Sequence, residues 1–100
     1  MPAIRHVVVF RFQPGTTGAQ RDAIATALRR LPALIPEIAD YTVGDDRGLV
    51  EGNWDFGVVA DFASEDDYFA YRDHPDHRAV IADLIRPVVA ERAAVQLPTG

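Results

Sequence analysis

The sequence predicts an α+β domain in which a four-stranded antiparallel sheet packs against helices, in the order β-α-β-β-α-β. Four short stretches are rich in β-branched and aromatic residues, as strands are, and one of them alternates apolar with other residues. Two longer stretches between them repeat apolar residues at helical spacing and begin with residues that cap helices. One hundred residues make a single domain, which we take as residues 1–100.

The first predicted strand covers residues 5–12 and carries apolar side chains on both faces. One face contains a histidine among apolar residues: His6, Val8, Phe10 and Phe12. The opposite face contains Val7 and Val9, so we expect both faces to be covered. The chain's own helices supply one cover, and a second copy of the chain is the simple candidate for the other. The sequence therefore predicts a homodimer that pairs through its sheet faces.

A helix and two strands follow this first strand. The helix begins at Thr17, which forms a capping box with Gln20, and it ends near Pro32. Its apolar stripe comprises Ala23, Ile24, Ala27, Leu28 and Leu31. A weaker second strand is predicted over residues 38–45 and a clear third strand over residues 54–62.

The second helical region is predicted to be broken in two. Ser64 caps it, and the helix stops by His74 because Pro75 disfavours helical geometry in the residue before it. Pro75 suits the first position of a new helix, whose apolar stripe comprises Val80, Ile81, Leu84 and Ile85. A last strand is expected around residues 93–97, before a polar tail at residues 98–100. The resulting order of elements is the ferredoxin-like pattern.

Composition excludes several classes of function. The chain has net charge −5, which argues against nucleic acid and anionic membranes as partners. It has no cysteine and no lysine, which excludes disulfides, zinc–thiolate sites and Schiff-base lysines. We expect no metal, since His74 and His77 have no cysteine beside them and His74 precedes a proline, and no cofactor motif occurs. The absence of a signal-peptide core and of a membrane-spanning stretch predicts a cytoplasmic protein.

The stretch from Asp67 to His77 concentrates two of the three histidines and two of the three tyrosines. His77 lies on the apolar stripe of its helix, so it points inward, where a histidine can pass protons near neutral pH. Hydrogen-bonded to Tyr71, His77 could remove a proton from a carbon next to a carbonyl, while the tyrosine hydroxyl holds the oxyanion. The alternative is a structural histidine whose nitrogens bind backbone groups at the helix break. His6 borders the same pocket if its strand face meets the helices, and the dimer interface if it does not.

Five segments of the chain form a recognisable pattern. They are Ile4-Arg5-His6-Val7-Val8, Ile35-Pro36-Glu37-Ile38, Tyr41-x-Val-Gly44, Val59-Ala60-Asp61-Phe62-x-Ser64 and Tyr71-x-x-His74-Pro75-x-His77. In this order and spacing they resemble the stress-responsive A/B barrel (Dabb) domain family of the dimeric α+β barrel superfamily. The resemblance implies a homodimer whose two sheets face each other as a barrel, with a pocket between each sheet and its helices.

The resemblance also implies site residues. A plant polyketide cyclase of this family closes a linear tetraketide by aldol condensation, and its acid–base tyrosine and histidine correspond to Tyr71 and His77. An N-terminal histidine of that cyclase matches His6, which favours the pocket side, and a third pocket histidine falls at Phe56, an aromatic wall here. Further wall residues are expected on the same strands and helices: Phe10, Val8, Tyr68 and Ile81. Many family members carry the motif without an established activity, which favours the structural role for His77.

Three functions stay open at this point. The first is a small dimeric protein whose apolar pocket binds a small carbonyl or phenolic compound. The second is a cofactor-free, cyclase-like or lyase-like enzyme with His77 as base, Tyr71 as hydrogen-bond donor and His6 as helper. The third, by analogy with the superfamily alone, is cofactor-independent oxygenation of a quinol-like substrate. The sequence favours the first and leaves open whether the protein is an enzyme.

Overall fold

The computed structural model describes residues 3–99. Its elements are β1 (Ala3–Phe12), α1 (Gly18–Arg29), α2 (Leu31–Leu34), β2 (Asp40–Asp45), β3 (Phe56–Phe62), α3 (Glu65–Asp73), α4 (Pro75–Val80), a π-helical turn (Ile81–Ile85) and β4 (Val89–Thr99). The four strands form one sheet in the order β2-β3-β1-β4, and every neighbouring pair is antiparallel. The predicted ferredoxin-like α+β fold is therefore confirmed.

The helices cover one face of the sheet and bury the apolar side chains of its two central strands. Alternate residues of β1 and β3 on this face are buried: His6, Val8, Phe10, Phe12, Phe56, Val58, Ala60 and Phe62. Ile24, Leu28, Leu31 and Ile35 pack on them from α1, α2 and the segment that follows. Burial of these apolar surfaces is the main force that holds helices and sheet together.

The other face of the sheet, which we call the outer face, is not covered by any helix within residues 3–99. Val7 lies at its centre between Val59 of β3 and Val95 of β4. Val95 and Leu97 are 49% and 45% exposed. The Arg5–Asp61 ion pair (2.8 Å) lies on the same face, since Arg5 and Asp61 are partners in the register. The predicted apolar stripe on the second face of β1 is thus present and open to solvent in a single chain.

The predicted start of α1 is confirmed in detail. The Gln20 amide donates to the Thr17 hydroxyl (3.1 Å), and the Gln20 side chain accepts from the Thr17 amide (2.9 Å). The buried stripe differs from the prediction by one position, because Ala25 is buried beside Ile24 while Ala23 is exposed.

Several predicted boundaries were wrong by a few residues. β2 and β3 begin at Asp40 and Phe56, two residues later than expected. Residues 98 and 99 belong to β4 rather than to a polar tail, because β4 pairs with β1 until Thr99 lies opposite Ala3. Residue 100 lies outside the described residues.

The helix after Pro75 also departs from the prediction. It leaves α-helical geometry at Ile81, and the amide of Arg86 donates to the carbonyl of Ile81 (2.8 Å), which is a π-type bond. Pro87 gives the physical reason: it has no amide hydrogen, and in a regular helix its ring would clash with the carbonyl four residues earlier. Within residues 3–99, no helix is long and apolar enough to cross a membrane. The cytoplasmic location stays a prediction.

Candidate functional site

A cavity of about 510 Å³ lies between the helix-covered face of the sheet and the helical segments from α3 to the π turn. Its size falls within the usual range of small-molecule sites. Much of its wall is apolar, and its aromatic polar groups come from both layers: His6 from β1, Tyr68 and Tyr71 from α3, and His77 from α4. The structure thus brings both predicted histidines and the predicted tyrosine to one cavity.

The break between α3 and α4 positions His77. The His74 amide donates to the carbonyl of Tyr71 (3.2 Å), which ends α3, and the Asp76 amide donates to Nδ1 of His74 (3.1 Å), which caps α4. His74 therefore serves the backbone through this nitrogen. The chain turns at this point, so that the rings of His77 and Tyr71 lie against each other with centroids 4.1 Å apart.

One nitrogen of His77 is fixed by the backbone. Nδ1 lies 3.1 Å from the carbonyl oxygen of Arg72. A carbonyl only accepts, so Nδ1 must carry the proton and Nε2 must hold the lone pair. Burial lowers the pKa of His77, the bond to Arg72 raises it, and the positive charge of Arg92 lowers it. The net direction is downward, so His77 is a neutral imidazole that presents a basic Nε2 near neutral pH.

His6 is fixed in the opposite tautomer. The side-chain amide of Gln96 donates to Nδ1 of His6 (2.8 Å), so the proton of the neutral ring sits on Nε2. Burial and then the charge of Arg92 lower the pKa of His6 to about 4. Among residues 3–99, no fully buried side-chain nitrogen or oxygen lacks a hydrogen-bond partner. Because Nε2 of His6 and Nε2 of His77 have no protein partner there, both atoms must be accessible.

The expected hydrogen bond between Tyr71 and His77 is not present. The two rings stack, and the hydroxyl of Tyr71 bonds instead to the hydroxyl of Tyr41 (2.8 Å), on β2. Burial raises the pKa of Tyr41 to about 12, and burial raises that of Tyr71 as well. Both tyrosines are therefore neutral hydrogen-bonding groups.

The expected wall residues divide between the cavity and the core. Four of them line the cavity: Val8, Phe10, Tyr68 and Ile81. Phe56 does not, because it lies at the start of β3, where it packs in the core against the rings of Phe10 and Phe12. Val58, two residues further along β3, lines the cavity instead. The position that the resemblance assigns to a third pocket histidine is therefore part of the core in this chain and not of the cavity wall.

Sequence reasoning missed three contributors to the site. Tyr41 holds the Tyr71 hydroxyl, Gln96 sets the tautomer of His6, and Arg92 lines the cavity. Tyr41 carried a usable signal, since it belongs to the Tyr41-x-Val-Gly44 segment. The other two are residues of an exposed edge strand whose roles follow only from its pairing with β1.

The hydroxyl pair predicts a measurable coupling. Tyr41→Phe or Tyr71→Phe leaves one buried hydroxyl without its partner and should each cost about 1–2 kcal/mol of unfolding free energy. The double variant should cost about 1 kcal/mol less than the sum of the two. Urea unfolding gives all three values. Tyr68→Phe is the matched control, because its hydroxyl has no hydrogen bond within residues 3–99. Additive effects would contradict the pairing.

The low pKa of His6 predicts how stability depends on pH. Its ordinary value of 6.5 applies to the unfolded chain, and the folded value is about 4. The unfolded state therefore binds the proton first, and stability that is complete above pH 6.5 is lost as the pH falls toward 4. Urea unfolding of wild type and His6→Asn between pH 4 and 8 isolates this contribution from that of the carboxylates. The difference in unfolding free energy between the two proteins should change with pH only below 6.5. A difference that stayed constant would show that folding does not lower the pKa of His6.

Comparisons with known proteins give the same fold. A dimeric ferredoxin-like protein of unknown function from Thermobifida fusca is 49% identical, with TM-score 0.91 over 98% of this chain and 92% of that one. A Dabb family protein from Mesorhizobium loti is 24% identical, with TM-score 0.81 over the whole of both chains. Hydroxynitrile lyase from Passiflora edulis is 18% identical, with TM-score 0.84 over 98% of this chain and 94% of that one. At the last two identities the likeness shows the fold alone.

No protein of curated function matches the sequence. The family comparison is decisive, because the Stress responsive A/B Barrel Domain matches residues 4–98 and so spans nearly the whole chain. That range includes all five segments of the pattern, from the first strand to the motif at the helix break. The chain belongs to the stress responsive A/B barrel (Dabb) domain family.

Proposed function

We propose that this protein is a homodimer whose subunits each bind a small carbonyl or phenolic compound in the cavity, and that His77 acts on it as a cofactor-free general base. The observation that carries the proposal is the pair of opposite tautomers. His77 offers a lone pair on Nε2, His6 offers an N–H on Nε2, and both residues line the same cavity. Such a pair can remove a proton from one atom of a ligand while it donates to another.

The chemistry follows from these two atoms. Nε2 of His77 takes a proton from a carbon next to a carbonyl, and the carbonyl becomes an enolate. Nε2–H of His6 donates to the enolate oxygen and stabilises the negative charge that develops on it. If Tyr41 donates to Tyr71, the hydroxyl hydrogen of Tyr71 is left to bind a ligand oxygen as well. An aldol-type ring closure is one reaction that begins with this step.

The homodimer is proposed from the outer face. Its apolar stripe of Val7, Val59 and Val95 has no cover among the residues that the structure describes. A second copy placed across a two-fold axis would meet this stripe with an identical one. The relative from Thermobifida fusca is described as dimeric, which supports the same assembly here. The cavity lies on the opposite side of the sheet, so each subunit would keep its own.

The assembly predicts a change of mass. Val7→Glu sets a charge at the centre of the outer face, and burying it unpaired is costly enough to separate the subunits. Sedimentation velocity should give twice the 11.0 kDa of one chain for wild type and a single chain for the variant. Leu34→Glu is the control, because Leu34 is 51% exposed on α2, away from the sheet. A wild-type monomer would rule out the dimer.

The two roles of His77 can be separated by two substitutions. Asparagine carries an amide nitrogen where histidine has Nδ1, so His77→Asn keeps a donor for the Arg72 carbonyl and removes Nε2. His77→Ala removes both. We expect His77→Ala to lose about 1–2 kcal/mol of stability, whereas His77→Asn should lose less and still lack the base.

The readout of catalysis is exchange of α-hydrogens for deuterium in small ketones and ketide-like acids, followed by NMR in heavy water. Wild type should accelerate exchange, and His77→Asn should slow it about 100-fold or more while remaining folded. Cyanohydrins belong in the binding panel because a protein of this fold is a hydroxynitrile lyase. If ligands bound but their α-hydrogens did not exchange, the protein would bind these compounds without catalysis, and His77 would only stabilise the helix break. Exchange that survives in His77→Asn would exclude His77 as the base.

A further inference from the structure

The wall of the cavity has a charge opposite to that of the whole chain. Four of the ten basic residues line it, all arginines, whereas only one of the fifteen acidic residues does. The arginines are Arg72, Arg78, Arg86 and Arg92, and the acidic residue is Asp73. A cleft lined by one sign of charge raises the local concentration of ions of the other sign. Although the chain has net charge −5, the wall of this cavity favours an anion.

Most of this positive charge has no partner. Arg72 binds Asp73 through two hydrogen bonds of 2.9 and 3.2 Å, which uses the acidic residue of the wall. Within residues 3–99, Arg78, Arg86 and Arg92 have no carboxylate within 4.0 Å and no side-chain hydrogen bond. A carboxylate that entered the cavity could therefore be paired without breaking an existing bond.

Arg92 is the best placed of the three. It lies on β4 opposite Phe10 of β1, on the cavity side of the sheet, four residues before the Gln96 that binds His6. Its charge acts on both cavity histidines and lowers the pKa of each. Arg78 and Arg86 come instead from α4 and from the end of the π turn. Of the three, only Arg92 belongs to the sheet, the layer that also carries His6, and the pairing of β4 with β1 fixes its position there.

We propose that the ligand is an amphiphilic carboxylic acid, and that Arg92 binds its carboxylate while its apolar part lies in the cavity between His6 and His77. This proposal rests on the proposed function above and specifies its ligand class. The planar guanidinium matches a carboxylate with two parallel hydrogen bonds, so it fixes direction as well as position. A ligand held in this way presents its other end to the two histidines. Arg78 and Arg86 attract the anion at the mouth of the cavity.

The test compares an acid with its neutral isostere. The probes are 4-phenylbutanoate and 4-phenylbutanamide, which have nearly the same shape but differ in charge because an NH2 group replaces one carboxylate oxygen. Both are titrated into the intact protein by calorimetry and by thermal shift. We expect wild type to bind the acid about tenfold or more tightly than the amide. Arg92→Gln should lose this preference and bind the amide as wild type does. Arg30→Gln is the matched control, because Arg30 is exposed at the end of α1 and does not line the cavity.

Each other outcome overturns a defined part. Equal affinity of wild type for acid and amide would refute the proposal that the ligand is a carboxylic acid, while the proposed binding function would stand. If Arg92→Gln still bound the acid more tightly than the amide, Arg92 would not be the residue that binds the carboxylate. The substitutions Arg78→Gln and Arg86→Gln would then show which arginine does. If Arg30→Gln lost the preference equally, the effect would come from net charge and the site would be refuted. If neither these probes nor the ketones bound, the proposed function would fail and this inference with it.

Discussion

The site depends on one constraint, the break in the backbone at His74 and Pro75. Pro75 keeps His74 extended (φ −62°, ψ 134°), so α3 ends there and α4 begins at the proline. Tyr71 and His77 are six residues apart, so in an unbroken helix their side chains would point in directions about 120° apart. The break removes this angle and sets the two rings 4.1 Å apart. It also exposes the carbonyl of Arg72, which His77 then uses to fix its tautomer.

The alternation of β1 divides the molecule into two surfaces with different uses. His6 and its alternate neighbours face the helices and build the cavity, whereas Val7 and Val9 face outward. Because side chains alternate between the two faces of a strand, a shift of register by one residue would move each set of side chains to the opposite face. The pairing of β1 with both β3 and β4 fixes this register. The cavity and the proposed dimer face are therefore two consequences of the same strand.

The chemistry of the cavity is decided by the partners of its polar groups. Two histidines in one apolar cavity would have the same character if their nitrogens were free. Here the carbonyl of Arg72 accepts a hydrogen bond from Nδ1 of His77 and so keeps the proton on that nitrogen, whereas the amide of Gln96 donates to Nδ1 of His6. The two Nε2 atoms therefore differ: that of His77 is a base, and that of His6 is a hydrogen-bond donor. Arg92 lowers the pKa of both rings, so a bound carboxylate that neutralised it would raise the basicity of His77.

The order of elements, both helix caps, the break at Pro75 and the inward position of His77 could all be predicted from the amino-acid sequence. These are local properties, because capping, proline geometry and the period of apolar residues act within a few residues of the chain. Four other features depend on the tertiary fold: the bond of Tyr71 to Tyr41, the bond of Gln96 to His6, the place of Phe56 in the core and the place of Arg92 in the cavity wall. Each of these follows from pairing between residues far apart in sequence: Gln96 and His6 are separated by 90 residues, and Tyr41 and Tyr71 by 30. No local pattern encodes such a pair, because it depends on which strands become neighbours and in which register.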